Sequence, residues 1–263
     1  MRSPRSMSAM QSLSGRHALV TGGGSGIGAA IATALAEAGA AVTILGRRRE
    51  ALDAVAAKHE RIRTLTADVT DEAGIIAAFA DAKAASGPIS IVVANAGAAD
   101  SAPFARTTLE QFERIVAINL AGTFLTLREG VRATAGSDWG RLVVIASVAG
   151  LKGYAYVAPY TAAKHGAVGL VRSLALELAG TGITTNAVCP AYTESPMLEQ
   201  AVSNIVEKTG RSESEAREIL SGKNPLKRFI KPEEVAAAVL YLCGPHSDAM
   251  TGQALSISGG ETW

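Results

Sequence analysis

Short runs of β-branched and apolar residues alternate with alanine-rich stretches along almost the whole chain, and this alternation limits the possible folds more than any other feature. The runs predict strands at His17–Thr21, Ala41–Leu45, Ile62–Thr66, Ile89–Ala94, Leu142–Ala146, Ile183–Val188 and Ala254–Ile257. The stretches predict helices at Ile27–Ala38, Arg48–Lys58, Asp71–Ala84, Leu109–Ala133, Val157–Leu178 and Pro232–Leu242. Because the strands are short and apolar on both faces, we expect them to be parallel and covered on both sides. The pattern therefore predicts an α/β fold, a doubly wound parallel sheet of about seven strands with helices on both faces.

One long segment interrupts the alternation, because no strand pattern lies between Val188 and Pro232. Long connections in compact domains are usually functional, and ligands of open α/β folds bind at the carboxyl edge of the sheet. Residues 192–230 are therefore predicted to form a substrate lid on a single catalytic domain of residues 15–263. Residues 1–14 are polar and contain no acidic side chain, and we expect them to form a flexible extension.

Charge and cysteine content exclude several classes of function. The formal net charge of +1 provides no general attraction to nucleic acid or to an anionic membrane. No apolar run approaches the roughly 20 residues that are needed to span a bilayer. Cys189 and Cys243 form no disulfide framework, and the scattered histidines have no ligand spacing, so no metal site is predicted. These features predict a cytoplasmic protein.

A glycine-rich loop follows the first predicted strand, running from Thr21 to Gly28 with the sequence Thr-Gly-Gly-Gly-Ser-Gly-Ile-Gly. Glycines at positions 22, 26 and 28 let the chain turn tightly and bring backbone N–H groups close to a pyrophosphate. The helix that begins near Ile27 directs its positive end at the same anion. Because the loop lies between a strand and a helix, as a dinucleotide fingerprint requires, it predicts a Rossmann-type dinucleotide-binding domain.

The end of the second predicted strand indicates which nicotinamide cofactor binds. An acidic residue there would bind the ribose hydroxyls of NAD(H), but this chain has Gly46 followed by Arg47, Arg48 and Arg49. Arginine is suited to a forked grip on phosphate, so NADP(H) is favoured over NAD(H); a solvated helix start is the alternative interpretation. The glycine loop has no second basic residue, since Ser25 precedes Gly26, so we do not expect strict selectivity.

Tyr160 and Lys164 lie one helical turn apart and are expected to project from the same face of a helix. A free phenol has a pKa of about 10, which is too high for ready proton exchange at neutral pH. A neighbouring ammonium group and an oxidised nicotinamide ring both stabilise the phenolate and lower that pKa. Ser147, just past the fifth predicted strand, would hold the substrate oxygen beside the tyrosine.

Taken together, these motifs closely resemble those of the short-chain dehydrogenase/reductase family. The resemblance runs from Gly15 to Gly260 and includes the loop at 21–28, Asp68-Val69 after the third strand and Asn95-Ala96-Gly97 after the fourth. It also includes four polar residues in the expected order and spacing: Asn119, Ser147, Tyr160 and Lys164.

The resemblance implies a role for each matching residue. Tyr160 would act as general acid in reduction and general base in oxidation, and Ser147 would orient the carbonyl. Lys164 would lower the pKa of the tyrosine and hold the nicotinamide ribose, and Asn119 would fix a water that relays protons. Asp68 and Val69 would meet the adenine, and Asn95 would lie beneath the adenosine. The implied cofactor-binding set is Gly22, Ser25, Gly26, Ile27, Gly28, Arg47, Arg48, Asp68, Val69, Asn95, Ala96, Gly97, Tyr160, Lys164, Pro190, Thr193 and Ser195.

The chain departs from the family pattern after the sixth strand. Ala191 replaces a common glycine, and Ser195 aligns with a threonine that contacts the nicotinamide carboxamide. Serine keeps the hydroxyl, so carboxamide binding is expected to survive. Ala191 next to Tyr192 predicts a different loop shape and therefore an altered substrate pocket.

The substrate is predicted chiefly from the resemblance. The chain is closest to family members that reduce 3-oxoacyl thioesters or oxidise 3-hydroxyacyl ones, so the favoured partner is an acyl-CoA or an acyl carrier protein. Lys223, Lys227 and Arg228 would then meet phosphates of the carrier arm, or else form a solvated basic surface. The alternatives are a dehydrogenase of a free secondary alcohol or ketone and, remotely, a non-catalytic dinucleotide sensor. The resemblance also implies a homotetramer.

Overall fold

A computed structural model describes residues 12–262 of the chain. Its strands are β1 (His17–Thr21), β2 (Ala41–Gly46), β3 (Ile62–Thr66), β4 (Ile91–Ala94), β5 (Gly140–Ile145), β6 (Ile183–Pro190) and β7 (Ala254–Ile257). They form one seven-stranded sheet in the order β3-β2-β1-β4-β5-β6-β7, in which every neighbouring pair is parallel. The predicted doubly wound parallel sheet is confirmed.

Helices cover both faces of this sheet. They are α1 (Gly26–Glu37), α2 (Arg49–Ala56), α3 (Glu72–Ser86), α4 (Leu109–Val116), α5 (Gly122–Thr134), α6 (Ala158–Glu177), α7 (Pro196–Thr209), α8 (Glu213–Ser221) and α9 (Pro232–Cys243). α1, α2 and α9 pack on one face, and α3, α5 and α6 pack on the other. Alternate residues of β1 serve the two cores: Ala18 and Val20 point to the first and Leu19 to the second. This two-sided burial explains why the strands are apolar throughout.

The helix predicted over Leu109–Ala133 is not continuous. A π-helical turn at Ala117–Ala121 separates α4 from α5. Such turns insert one extra residue into a helix and occur frequently at functional sites. The hydrophobic periodicity did not reveal this turn, because one extra residue barely disturbs the apolar pattern.

The segment predicted to be a lid leaves and rejoins the sheet edge at one point. The backbone N–H of Ile230 donates to Tyr192 O at 2.9 Å, and that of Glu194 donates to Ile230 O at 3.0 Å. Between these ends, α7 and α8 pack on a small core of their own, formed by Leu198, Val202, Ala216 and Leu220.

The amino-terminal boundary differs from the prediction. Residues 1–11 of the predicted flexible extension lie outside the described residues. Leu13, however, is buried, and its backbone N–H donates to Ala38 O at 2.7 Å. The folded chain therefore begins before the predicted boundary at residue 15. Within residues 12–262, the helices are too short or too polar to cross a bilayer.

Candidate active site

The carboxyl ends of the strands bring most of the predicted site residues to one edge of the sheet. Gly22 follows β1, Asn95 follows β4 and Ser147 follows β5, while Gly46 and Pro190 end β2 and β6. The chain crosses from β3 at the sheet margin to β4 beside β1, so the strand order reverses between β1 and β4. Ligands of open α/β sheets bind in the crevice that forms at such a reversal.

The glycine loop depends on its missing side chains. Gly22 and Gly26 have φ angles of +68° and +52°, in the left-handed region that favours glycine. A Cβ at Gly28 would overlap the carbonyl oxygen of Gly22 and the side-chain amide of Asn95. Packing between the loop and the start of α1 is therefore as close as a backbone permits.

The amino terminus of α1 is suited to an anion. Ser25 is the N-cap residue but makes no side-chain capping hydrogen bond, and the first turn contains no acidic residue. α7 begins nearby, since a Cβ at Gly26 would lie 3.0 Å from Ser195 Cβ and 3.6 Å from Pro196 Cδ. The positive ends of two helices thus meet at the glycine loop, and this fits the pyrophosphate of a nicotinamide dinucleotide.

Asn95 fastens the end of β4 to the glycine loop. Its side-chain amide donates to the carbonyl oxygens of Thr21 at 2.9 Å and Gly22 at 3.2 Å. The hydroxyl of Thr21 accepts from the backbone N–H groups of Asn95 at 3.0 Å and Ala96 at 3.2 Å. Thr21 was not among the site residues predicted from the sequence; its position at the end of an apolar strand was the available signal.

The three arginines after Gly46 have different surroundings. Arg49 forms an ion pair with Asp53 at 2.8 Å, whereas Arg47 lies 3.7 Å from Asp68, and both of these pairs are exposed. Hydrogen bonds from Thr70 hold the pKa of Asp68 below its usual value. Arg48 is exposed at the N-cap of α2. The positions selected from the sequence, Arg47 and Arg48, are thus less constrained than Arg49.

Val69 and Gly97 mark close approaches around the crevice. Val69 is buried, and its side chain packs so closely on the start of α5 that a Cβ at Gly122 would lie 2.8 Å from Val69 Cγ2. A Cβ at Gly97 would lie 2.8 Å from Asn119 Oδ1 and 3.7 Å from Lys164 Nζ. Asn119 and Lys164 therefore converge on the backbone of Gly97.

Asn119 lies within the π-helical turn and is fully buried. Its side-chain NH₂ group donates to Ala98 O at 2.8 Å and to Ile115 O at 2.9 Å, and its Oδ1 accepts from Ala98 N at 3.3 Å. The amide thus joins the helix to the segment that follows β4. The irregular turn and the buried amide occupy the same position, so the turn has a direct structural consequence for the site.

Tyr160 lies in the first turn of α6, and Ser147 faces it across the crevice. A hydrogen bond from the side chain of Ser147 favours the phenolate, but burial outweighs it and raises the pKa of Tyr160 to about 12. The lowering predicted from the sequence requires an oxidised nicotinamide ring as well as Lys164, so it stays a prediction for the cofactor-bound protein. The physical reason for the raised pKa is desolvation of the phenolate, which the protein alone does not compensate.

Lys164 is 3% exposed and lies on the same face of α6 as Tyr160. Its ammonium group donates to the carbonyl oxygen of Ile145 at 2.8 Å and lies 5.6 Å from the centre of the Tyr160 ring. Burial lowers the pKa of Lys164 to about 8. The hydrogen bond to Ile145 therefore fixes the Lys164 ammonium group at the end of β5, 5.6 Å from the centre of the Tyr160 ring.

Thr193 and Ser195, which follow β6 and were predicted to bind the cofactor, also form hydrogen bonds that hold the local backbone. Thr193 is buried, and its hydroxyl donates to Ala191 O at 2.9 Å. Ser195 caps α7, because its hydroxyl accepts from Leu198 N at 3.3 Å and donates to Thr193 O at 3.0 Å. The hydroxyl predicted to meet a carboxamide is thus already engaged in helix capping. Cys189 is buried beside Ser147, and burial raises its pKa to about 11.

Five side chains form what we call the substrate wall: Lys152, Tyr154, Tyr192, Lys223 and Glu261. The hydroxyl of Tyr154 donates to Glu261 Oε1, and Lys152 Nζ lies 3.2 Å from the same oxygen. Lys223 Nζ lies over the rings of Tyr154 at 5.1 Å and Tyr192 at 5.7 Å. No motif in the sequence marks Lys152 or Glu261, so their contact with each other was not predicted.

Two further residues of the predicted basic cluster point elsewhere. Lys227 Nζ donates to Gly222 O at 3.0 Å, and Arg228 forms a forked pair with Glu234 through two contacts of 2.7 Å. The three residues of the predicted basic cluster therefore have different partners, and Lys223 is the one that belongs to the substrate wall. Among residues 12–262, no three His, Cys, Asp or Glu side chains converge in a way that could hold a metal ion.

Comparison with known proteins agrees with this geometry. Residues 16–205 match the family model of short chain dehydrogenases. The chain is 39% identical over 250 residues to a putative ketoacyl reductase of the granaticin polyketide synthase of Streptomyces violaceoruber, covering 92% of each chain. It is 35% identical to a D-beta-hydroxybutyrate dehydrogenase of Rhizobium meliloti (strain 1021), covering 93% of this chain and 98% of that one.

Solved structures give the same result. The crystal structure of a variant of actinorhodin polyketide ketoreductase with NADPH superposes with a TM-score of 0.90 at 36% identity, covering 94% of this chain and 97% of that one. The family match, the sequence identity and the shared fold extend over the glycine loop after β1, Ser147 after β5 and Tyr160 in α6. The chain therefore belongs to the short-chain dehydrogenase/reductase family and is an NAD(P)-dependent oxidoreductase.

Proposed function

We propose that the protein reduces the ketone of a 3-oxoacyl thioester, with NADP(H) as the favoured cofactor. The observation that carries this proposal is the convergence of Ser147, Tyr160 and Lys164 beside the glycine loop, with Asn119 buried behind them. A loop that fits a pyrophosphate and a proton donor that faces a serine hydroxyl are the two parts that hydride transfer to a carbonyl requires.

Ser147 and Tyr160 would act together on the carbonyl oxygen. A bound nicotinamide cofactor supplies the hydride that reaches the carbonyl carbon. The two hydroxyls would hold the oxygen and stabilise the negative charge that develops on it. Tyr160 would then give its proton to the forming alkoxide, yielding the alcohol. The raised pKa of Tyr160 supports this direction, because the phenol keeps its proton at neutral pH until a stronger base forms.

Lys164 and Asn119 would support the proton transfer from behind. Lys164 would hold the nicotinamide ribose and stabilise the Tyr160 phenolate that remains after the proton has left. The hydrogen bonds of Asn119 to Ala98 and Ile115 fix the wall beside this ammonium group. We keep the prediction that Asn119 positions a water through which Lys164 exchanges protons with solvent.

The cofactor preference rests on the end of β2. Arg47 and Arg48 are exposed there, and the position that would hold an acidic residue in an NAD(H) site is Gly46. Either guanidinium could grip a 2′-phosphate by two parallel hydrogen bonds. Similarity to a ketoreductase crystallised with NADPH supports the same preference.

The favoured substrate follows from the similarity to polyketide ketoacyl reductases. A second candidate is a free hydroxy acid or ketone, favoured by the similarity to a D-beta-hydroxybutyrate dehydrogenase. Both readings place the reacting carbon at Tyr160 and differ only in what surrounds it.

A turnover screen tests both parts of the proposal. NADPH and NADH oxidation would be followed with acetoacetyl-CoA, longer 3-oxoacyl thioesters and a panel of free ketones. We expect faster turnover with NADPH and with thioesters. The double variant Arg47→Ala/Arg48→Ala should raise the KM for NADPH about tenfold and leave NADH unchanged, since a charge-assisted hydrogen bond contributes about 1.5–3 kcal/mol.

Arg49→Ala is the matched control, because Arg49 pairs with Asp53 in the same segment. A clear NADH preference of the unmodified enzyme would overturn the cofactor assignment. Turnover of free ketones alone would replace the thioester proposal by the second candidate. No turnover of any carbonyl substrate would favour the non-catalytic sensor.

We also keep the proposal of a homotetramer, on revised evidence. Ala167, Val168 and Val171 of α6 are buried in the core of the monomer and are not available for contacts between subunits. Large apolar side chains on the outer faces of α4, α5 and α6 remain exposed: Leu109, Phe112, Phe124 and Leu176. Light scattering coupled to size exclusion would measure the mass.

A further inference from the structure

The buried charge on the substrate wall is paired at one of its two oxygens, whereas Glu261 Oε2 has no hydrogen-bond partner among residues 12–262. The side chain of Glu261 is 2% exposed, and its Oε1 accepts from Tyr154 and lies 3.2 Å from Lys152 Nζ. A buried carboxylate requires such partners, because an isolated charge inside a protein is strongly unfavourable. Glu261 and Lys152 therefore neutralise each other, and together they fix the ring of Tyr154.

Lys223 is the remaining charge on this wall. It is exposed, and its ammonium group lies between two aromatic faces, those of Tyr154 and Tyr192. Within residues 12–262 it has no carboxylate within ion-pair distance, whereas Arg228 in the same segment is paired with Glu234. Cation–π contacts orient a lysine but leave its three N–H donors available to another group.

One of the two rings beside Lys223, that of Tyr192, lies at the same edge of the sheet as Ser147. Tyr192 follows β6 and packs against the core of the segment that contains α7 and α8. β6 pairs with β5 through Val188 and Ile145, so Tyr192 and Ser147 both lie just past the carboxyl ends of neighbouring strands. Lys223 can thus reach a group on a molecule whose carbonyl lies at Tyr160.

We propose that Lys223 is a specificity-determining residue that binds an anionic oxygen group of the substrate across the rings of Tyr154 and Tyr192. The inference deepens the proposed function and rests on its placement of the carbonyl at Tyr160. Two sources share this chemistry: the carboxylate of a free 3-oxo acid and a phosphate of a thioester carrier. A compact ammonium accepts either, because it binds as a point charge without a required fork geometry.

Three substrates separate the sources: acetoacetate, acetoacetyl-CoA and the neutral ethyl acetoacetate. Each would be tested with the unmodified enzyme, Lys223→Met, Lys223→Arg and Lys227→Met. We expect Lys223→Met to raise the KM of the anionic substrate that Lys223 binds about tenfold or more, and to leave its kcat within about twofold. Loss of one charge-assisted hydrogen bond corresponds to about a tenfold loss of affinity. The KM for ethyl acetoacetate should not change, and Lys223→Arg should retain most of the affinity.

Lys227→Met is the matched control for long-range charge, because Lys227 belongs to the same segment but contacts Gly222. An effect confined to acetoacetate identifies a carboxylate, and an effect confined to acetoacetyl-CoA identifies a phosphate. Equal KM changes for the neutral and anionic substrates, or none for any, would overturn the proposal. A thermal melt of each variant separates loss of affinity from loss of folding.

Calorimetric binding of acetoacetate and of CoA to the NADP⁺-loaded enzyme provides a readout without turnover. If the enzyme reduces none of these substrates but binds an anion through Lys223, the proposed function fails while the anion site stands. If neither anion binds, or if Lys223→Met binds both as well as the unmodified enzyme, the anion site is wrong regardless of turnover.

Discussion

The glycine loop and the substrate wall lie at the same edge of the sheet but are built from different material. Backbone forms the loop, and a Cβ at Gly22 would already lie 2.8 Å from Asn95 Nδ2. Long side chains from separate segments form the wall, including Tyr154 and Glu261, which are 107 residues apart in sequence. A backbone site can hold only a ligand of fixed shape, whereas a side-chain wall changes with single substitutions. The cofactor region is thus constrained, and the substrate region is free to diverge.

Tyr160 lies where the two regions meet, so its substitution has the largest expected effect. Tyr160→Phe removes the proposed proton donor and keeps the ring, so kcat should fall by about 10²–10⁴-fold or more. The Kd for NADPH, measured by fluorescence titration, should change little. Tyr241→Phe is the control, because Tyr241 is exposed on α9. A Tyr160→Phe enzyme with a near-normal rate would show that the proton comes from elsewhere.

A single methyl group in the glycine loop tests how rigid that region is. Gly28→Ala would force its Cβ into the backbone of Gly22, which cannot give way as a side chain can. We expect a loss of about 3 kcal/mol or more in stability, together with the loss of NADPH binding. Gly24→Ala should be tolerated, because its nearest neighbours, Ala51 and Leu52, lie at 3.4 Å. Thermal melts with and without NADPH measure both effects, and equal behaviour of the two variants would refute the argument from close packing.

The rates of reduction and oxidation should depend differently on pH, and this effect should be smaller than the effects of the two substitutions. Burial raises the pKa of Tyr160 to about 12, so the protonated form that reduction requires persists throughout the neutral range. Reduction should therefore be nearly constant from about pH 6 to about pH 8, whereas oxidation requires the phenolate and should rise about tenfold per pH unit. The rise should flatten above about pH 8, where Lys164 loses its charge. Initial rates in both directions with one alcohol and ketone pair measure this, and a steep fall of reduction below pH 8 would contradict it.

Local sequence patterns predicted much of the cofactor region. The glycine loop, Asn95 and the Tyr160–Lys164 pair lie at fixed distances from strand ends, and a parallel sheet brings those ends to one edge. The i,i+4 spacing of Arg49 and Asp53 was a local signal for their ion pair, whereas Arg47 meets Asp68 only because β2 and β3 pair in the folded sheet. The sequence could not predict the raised pKa of Tyr160, which depends on burial by distant segments.

The sequence by itself therefore determined the parallel sheet, the family and the edge at which the site forms, because strand periodicity, glycine positions and helical spacing are properties of neighbouring residues. Only the tertiary structure determined which side chains come together in the substrate wall. Glu261, Lys152 and Lys223 belong to segments that are far apart in the chain, and they acquire partners only when folding brings the carboxy-terminal residues against the loop after β5. Which charge is paired within the protein and which is not depends on those long-range contacts, and no local pattern contains them.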